Sequence, residues 1–171
     1  MRCGTLQLLP VPDDSGLNES IGGRPVSSWG GTVHRLAHGS FGMLASQMMN
    51  HCGLNSWTRN SRVIFATSAT SAGPYRHHSI VEGAFSHEPS VARAPNGSWV
   101  MYFTRPFDEA AWPPPCNCSD GSTPVKCGGE VGPQQHATFL AVAPSLAGPW
   151  TAPRLVPLLD CNRSYCQHDM K

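Results

Sequence analysis

A chain of 171 residues, 40% hydrophobic and 13% charged, has the size of one ordinary domain. Its 12 Lys and Arg against 11 Asp and Glu leave a formal net charge of +1 with no basic run, which excludes the electrostatic footprint of a protein for nucleic acid or acidic membrane. No apolar segment approaches the roughly 18 to 20 residues of a membrane span, and 17 Gly and 16 Pro without long amphipathic runs favour turn-rich β structure.

Residues 1–28 carry Asp13, Asp14, Gly16, Gly22, Gly23 and Pro25 with little periodicity and read as an irregular lead-in. A first unit spans 29–84. Its predicted strands are Thr32 to Leu36, Phe41 to Met48, Ser61 to Thr67, and one near Ser79 to Glu82. The connection from Asn50 to Trp57 is longer than a hairpin loop. A second unit spans 87–158, with strands Pro89 to Arg93, Trp99 to Arg105, His136 to Val142 and Arg154 to Pro157. Between its second and third strands lies an insertion, 106–135, long enough to be functional or disordered. Residues 159–171 read as the first strand of a third unit.

The two units are copies. Ala66 to Tyr75 returns 75 residues later as Ala141 to Trp150, sharing Ser-x-Ala-Gly-Pro-aromatic, and Val33 to Met43 returns 58 residues later as Val91 to Met101. Gly73-Pro74 and Gly148-Pro149 mark tight turns after a strand. Asn96-Gly97, flanked by apolar runs, is a hairpin signal, with a type I′ turn needing φ > 0 at both central residues. The unit is therefore a four-stranded antiparallel sheet, and the fold class is all-β. Tandem four-stranded units fit a β-propeller, which closes with four to eight blades. Two units and a stub would be an open part of one, expected to belong to a longer product.

Seven Cys and four Asn-x-Ser sequons (Asn18, Asn96, Asn117, Asn162) suit a secreted, disulfide-bonded glycoprotein. The N-terminus, Met1 to Pro10, has no apolar run of signal-peptide length, so either this is not the true start or export takes another route. Cys116-x-Cys118 and Cys127 lack a His at finger-like spacing and read as disulfide partners inside the insertion, with Cys161 or Cys166 as further candidates, and not as a metal site. No cofactor motif is present.

Trp29-Gly30-Gly31, Asn60-Ser61, Ala72-Gly73-Pro74-Tyr75, His87-Glu88-Pro89, Pro95-Asn96-Gly97-Ser98 and Ala147-Gly148-Pro149-Trp150, in that order, resemble the five-bladed propellers of glycoside hydrolase family 43 and the wider arabinanase, levansucrase and invertase-like superfamily. The resemblance covers roughly 29–158. It implies a carbohydrate partner and hydrolysis of arabinosyl, xylosyl or related O-glycosidic bonds by three carboxylates, each at the start of the innermost strand of a different blade. Such cleavage needs a proton donor of raised pKa and a second carboxylate that activates water or attacks carbon.

Glu88 stands where the resemblance places the acid, so it is the catalytic candidate. Its counterparts by the repeat are Gly30 and Asn162, and Glu88 directly precedes Pro89, where the family pattern has one residue between. Both departures favour the alternatives, a carbohydrate-binding propeller without turnover or a protein-interaction propeller. Trp29, Trp57, Trp99 and Trp112 invite a stacking reading, since indole faces pack on sugar C–H groups, and His87, Trp29 and Trp112 are the substrate-binding candidates, imidazoles binding hydroxyls. Trp99, which aligns with Phe41, and Trp150, which aligns with Tyr75, read as structural. Asp108 and Glu109 read as a solvated pair opening the insertion.

Overall fold

The fold is described by a computed structural model for residues 20–21, 24–118, 127 and 136–157; the third-unit stub and most of the insertion lie outside them. The described chain is all-β apart from three short helical turns. β1 (Ser20–Ile21) and β2 (Arg24–Pro25) pair antiparallel inside the stretch expected to be irregular. β3 (Ser28–Arg35), β4 (Phe41–Met48), β5 (Ser61–Ser68) and β6 (Arg76–Glu82) form one four-stranded antiparallel sheet in the order β3-β4-β5-β6. β7 (His87–Arg93), β8 (Trp99–Pro106), β9 (His136–Ala143) and β10 (Arg154–Leu155) form the second, in the order β10-β9-β8-β7. Between β4 and β5 lie a 3-10 turn, Leu54–Ser56, and the one-turn helix α1, Trp57–Asn60. Among the described residues no helix is long and apolar enough to cross a membrane.

Alternation decides what each sheet buries. Leu44, Val63 and Phe65 project from the first sheet onto Val91, Met101, Phe103, Ala141 and Leu146 of the second, forming one apolar layer between them. Each Val, Leu, Met or Phe side chain among them, fully buried, contributes about 1.5–3 kcal/mol. The residues one step out of phase in the first sheet, Ile64 and Ala66, join Tyr75, Phe41 and Met43 on its other face. The other face of the second sheet carries Val100, Leu140 and Val142, all half-buried, and Tyr102, which is 42% exposed. β7 lies against β3 and β4. Its contact is fixed by two hydrogen bonds between the sheets: His34 Nε2 donates to Val91 O at 3.0 Å, and Glu88 N donates to Ser46 Oγ at 2.9 Å.

The offset of 58 residues relates hairpins with the same hydrogen bonds. Leu36 N donates to Ser40 O and Gly39 N to Leu36 O; Ala94 N donates to Ser98 O and Gly97 N to Ala94 O. Gly39 and Gly97 sit at φ 85° and 86°, while His38 and Asn96 do not have positive φ, so these are not the type I′ turns expected from Asn-Gly. They are longer loops whose glycine alone takes the left-handed position, a geometry common in three-residue hairpins. The offset of 75 relates the two Gly-Pro turns in the same way. Both prolines follow cis peptide bonds, Gly73 N donates to Thr70 O and Gly148 N to Ser145 O, and the Thr70 and Ser145 hydroxyls donate to the Gly73 and Gly148 carbonyls.

The edge strands β3 and β7 also carry a bulge at the same place. Trp29 pairs with Ser46 and Thr32 with Leu44, so Gly30 and Gly31 together oppose Ala45; His87 pairs with Thr104 and Ser90 with Tyr102, so Glu88 and Pro89 together oppose Phe103. The first bulge residue is left-handed in each, Gly30 at φ 58° and Glu88 at φ 56°. At the second position the bulges differ. A Cβ on Gly31 would lie 2.3 Å from Leu44 O, whereas Pro89 is accommodated and buried.

Candidate functional site

β3, β5, β7 and β9 all begin at one end of the two sheets, and their first side chains meet there. Trp29 stacks on His87 at 5.9 Å between ring centroids, and His87 meets the edge of His136 at 5.2 Å. Trp57, at the start of α1, stands edge-on to Trp29 at 5.7 Å and to His87 at 5.0 Å, and stacks on His136 at 6.0 Å. Trp112 closes the group from the insertion, at 5.0 Å from His136 and 5.8 Å from Phe85. The result is an aromatic floor with two imidazoles in it.

Of the four residues predicted for the site, the structure therefore brings together Trp29, His87 and Trp112. The fourth, Glu88, points elsewhere. The strand begins two residues earlier than expected, at His87 instead of Pro89, and the bulge that follows leaves the Glu88 side chain exposed while His87, 1% exposed, faces inward. The carboxylate is exposed and is not part of the aromatic group.

His87 Nδ1 donates to Phe85 O at 3.1 Å, which leaves the neutral imidazole with its lone pair on Nε2. Burial, reinforced by neighbouring His136 and partly offset by the Phe85 carbonyl, lowers the His87 pKa to about 4. Burial also lowers that of His136. Both rings are uncharged at neutral pH. His136 Nε2 is buried and has no hydrogen-bond partner among the described residues, an atom suited to a ligand hydroxyl. Phe85 at φ 67° and Glu88 at φ 56° place two non-glycine residues in the left-handed region on either side of Ser86 and His87.

Acidic groups gather beside this end of the second sheet. Arg105 pairs with Glu82 at 3.9 Å and with Glu109, and its guanidinium lies 5.2 Å above the Phe139 ring. Burial raises the Glu82 pKa, Arg105 opposes the rise and Glu109 adds to it. Asp108 accepts from Ala110 N at 3.1 Å and caps a 3-10 turn, Glu109–Ala111. Asp108 is exposed, and Glu109, with its side chain 38% exposed, is engaged by Arg105.

The described part of the insertion is also held by the first sheet's connection. Asn60, fully buried, donates through Nδ2 to Cys116 O at 2.8 Å and accepts at Oδ1 from Cys116 N at 3.1 Å; Asn50 Nδ2 donates to the same carbonyl, and Cys118 N donates to Asn50 O. Disulfides join Cys116 to Cys127, within the insertion as expected, and Cys52 to Cys118, a pairing across units that spacing did not reveal. Cys161 and Cys166 lie outside the described residues.

Two members of the floor, Phe85 and His136, were missed, and Trp57, open to a stacking reading, was not among the site candidates. For His136 a signal existed: the offset of 75 relates it to Ser61, the first residue of β5, just as 58 relates His87 to Trp29. Each sheet thus contributes one equivalent pair, and Trp29 Nε1 donates to Ser61 Oγ at 3.4 Å where His87 meets His136 in the second. No model of a known protein family matches the chain, and no curated protein matches it at a significant level.

Proposed function

We propose that this chain is part of a carbohydrate-directed β-propeller of the glycoside hydrolase 43-like kind, with the aromatic–histidine group as its sugar-binding floor and Glu88 as the proton donor. The observation that carries the reading is the meeting of Trp29, Trp57, Trp112, His87 and His136 at the shared end of both sheets. Indole faces suit the C–H face of a sugar ring, and neutral imidazoles exchange hydrogen bonds with hydroxyls without the desolvation cost of a charge.

The strained backbone at Glu88 supports a working role for its carboxylate, since a non-glycine residue in this region costs roughly 1–2 kcal/mol and such residues cluster at functional sites. The repeat supports the propeller. The open face of the second sheet, with Val100, Tyr102, Leu140 and Val142, corresponds by the two offsets to Gly42, Leu44, Phe65 and Thr67, the face of the first sheet that receives the second. A further sheet of the same kind would cover it.

Binding without turnover is the second reading, favoured by Gly30, which leaves the equivalent bulge of the first sheet with no carboxylate. Assay of a full-length product on aryl arabinosides and xylosides, beside binding of arabino- and xylo-oligosaccharides, separates the two. Turnover that disappears in Glu88→Gln while binding persists is the result expected. Unchanged turnover removes Glu88 from the chemistry, binding with no turnover in the parent protein selects the second reading, and neither activity rejects both.

A further inference from the structure

We propose that Cys52, Cys116, Cys118 and Cys127 are the ligands of a structural zinc site whenever their two disulfides are reduced. The sulfurs of Cys52, Cys118 and Cys127 lie within 4.8 Å of one another, all three residues are buried, and Cys116 is bonded to Cys127, so four sulfurs occupy one small volume. Tetrahedral zinc with Zn–S bonds of about 2.3 Å needs its sulfurs about 3.8 Å apart, a modest adjustment from this arrangement. Cys116-x-Cys118 lacked a complete ligand set along the sequence, and the fold supplies the missing fourth from the β4–β5 connection.

The surroundings are those of a thiolate site. Asn60 Nδ2 donates to Cys52 Sγ at 3.4 Å while the same side chain grips the Cys116 peptide group on both sides, so one buried residue orients two of the four ligands. The Arg59 guanidinium donates to Pro114 O, two residues before Cys116, and brings positive charge toward a site whose own charge would be negative. Cys118 N is held by Asn50 O at 3.0 Å. None of these contacts requires the sulfurs to be bonded to each other, so the cradle is formed in either redox state.

The chemistry balances. Reducing two disulfides takes four electrons and four protons, which two molecules of a dithiol such as dithiothreitol supply as they become cyclic disulfides. Zinc then displaces the four thiol protons and forms four Zn–S bonds with no further change of oxidation state. The insertion is held to the first sheet's connection in both forms, by the Cys52–Cys118 disulfide where the surroundings oxidise and by metal where they reduce.

The test uses the whole chain, reduced under argon, given zinc chloride, passed through a desalting column and analysed for metal. About one zinc per chain is expected, retained when Cys3, Cys161 and Cys166 are all replaced by Ser, and reduced at least tenfold by Cys52→Ser. Cys52→His, which keeps a ligand, should restore most of it. Because Cys52→Ser also removes a disulfide that supports folding, the unmutated reduced chain is titrated with cobalt(II), where the thiolate charge-transfer and tetrahedral d–d absorption of a four-sulfur site should appear. Less than about a tenth of an equivalent of zinc, a cobalt spectrum without thiolate bands, or metal lost with the Cys3, Cys161 and Cys166 replacements instead of with Cys52 each overturns the site.

Discussion

Glu88 occupies, in the second sheet, the bulge position that Gly30 occupies in the first, and the two backbones agree to within 2° in φ. Only glycine is free of cost there. Replacing Glu88 by Gly should therefore stabilise the chain by about 1 kcal/mol, while removing the one carboxylate assigned to chemistry. Gly30→Ala should destabilise by about 1–2 kcal/mol through conformation alone, because a Cβ there meets nothing within 4 Å. Gly31→Ala should cost more, since its Cβ would press on the Leu44 carbonyl. Urea denaturation of the three variants gives the order directly; Glu88→Gly less stable than the parent contradicts the assignment of strain.

Stability should fall in mild acid. The folded state keeps His87 neutral, with its pKa lowered to about 4, whereas the unfolded chain takes up a proton near the ordinary value of 6.5. The unfolded state thus binds more protons between these limits, and stability present above pH 6.5 is lost progressively down to about pH 4, by about 3 kcal/mol at about 1.4 kcal/mol per pKa unit. His136, lowered for the same reason of burial, adds in the same direction. Thermal melts from pH 7 to pH 4 on the parent and on His87→Gln check this. The variant should show the shallower slope, and parallel slopes would mean that His87 is not the group responsible.

Trp57 is 38% exposed, so its truncation removes a ligand-facing surface with little loss of core. Trp57→Ala and Trp112→Ala are expected to weaken oligosaccharide binding about tenfold each, equivalent to about 1.4 kcal/mol, with Trp57→Ala leaving the melting temperature nearly unchanged. Trp99→Ala, which opens the layer between the sheets, should instead lower stability by about 3 kcal/mol or more. Tryptophan fluorescence titration with xylo-oligosaccharide separates these classes; equal affinity in the Trp57 and Trp112 variants and the parent would leave the floor without a ligand.

The Cys52–Cys118 disulfide closes a loop of 66 residues. On the chain-entropy account such a bridge is worth about 4 kcal/mol, so the Cys52→Ser, Cys118→Ser double variant should unfold at much lower denaturant in the absence of metal. The Cys116–Cys127 bridge spans only 11 residues and should contribute about 1.5 kcal/mol less by the same reasoning. Equilibrium unfolding under oxidising conditions orders the two, and a larger loss from the shorter loop would point to native packing instead of chain entropy.

What the sequence discloses here is whatever depends on neighbours along the chain. The strands of both sheets lie close to their expected positions, because hydrophobic alternation, the Gly-Pro turns and the two repeat offsets are all local patterns. The direction in which Glu88 points was not legible. One added bulge residue reverses the alternation, and nothing in His87-Glu88-Pro89 announces a bulge until Gly30 is placed beside it. The partners of Trp57 and Cys52 were not legible for a different reason. These partners, His136 and Cys118, lie 79 and 66 residues further on, and only the path of the insertion back over the β4–β5 connection brings them together.

That path also limits how the molecule comes apart. A protease nick at Gly83 or Ala84, between the two sheets, severs the backbone where they part, yet Cys52 lies before the cut and Cys118 after it. The halves should still migrate as one band on a gel run without reductant, and separate only once thiol is added.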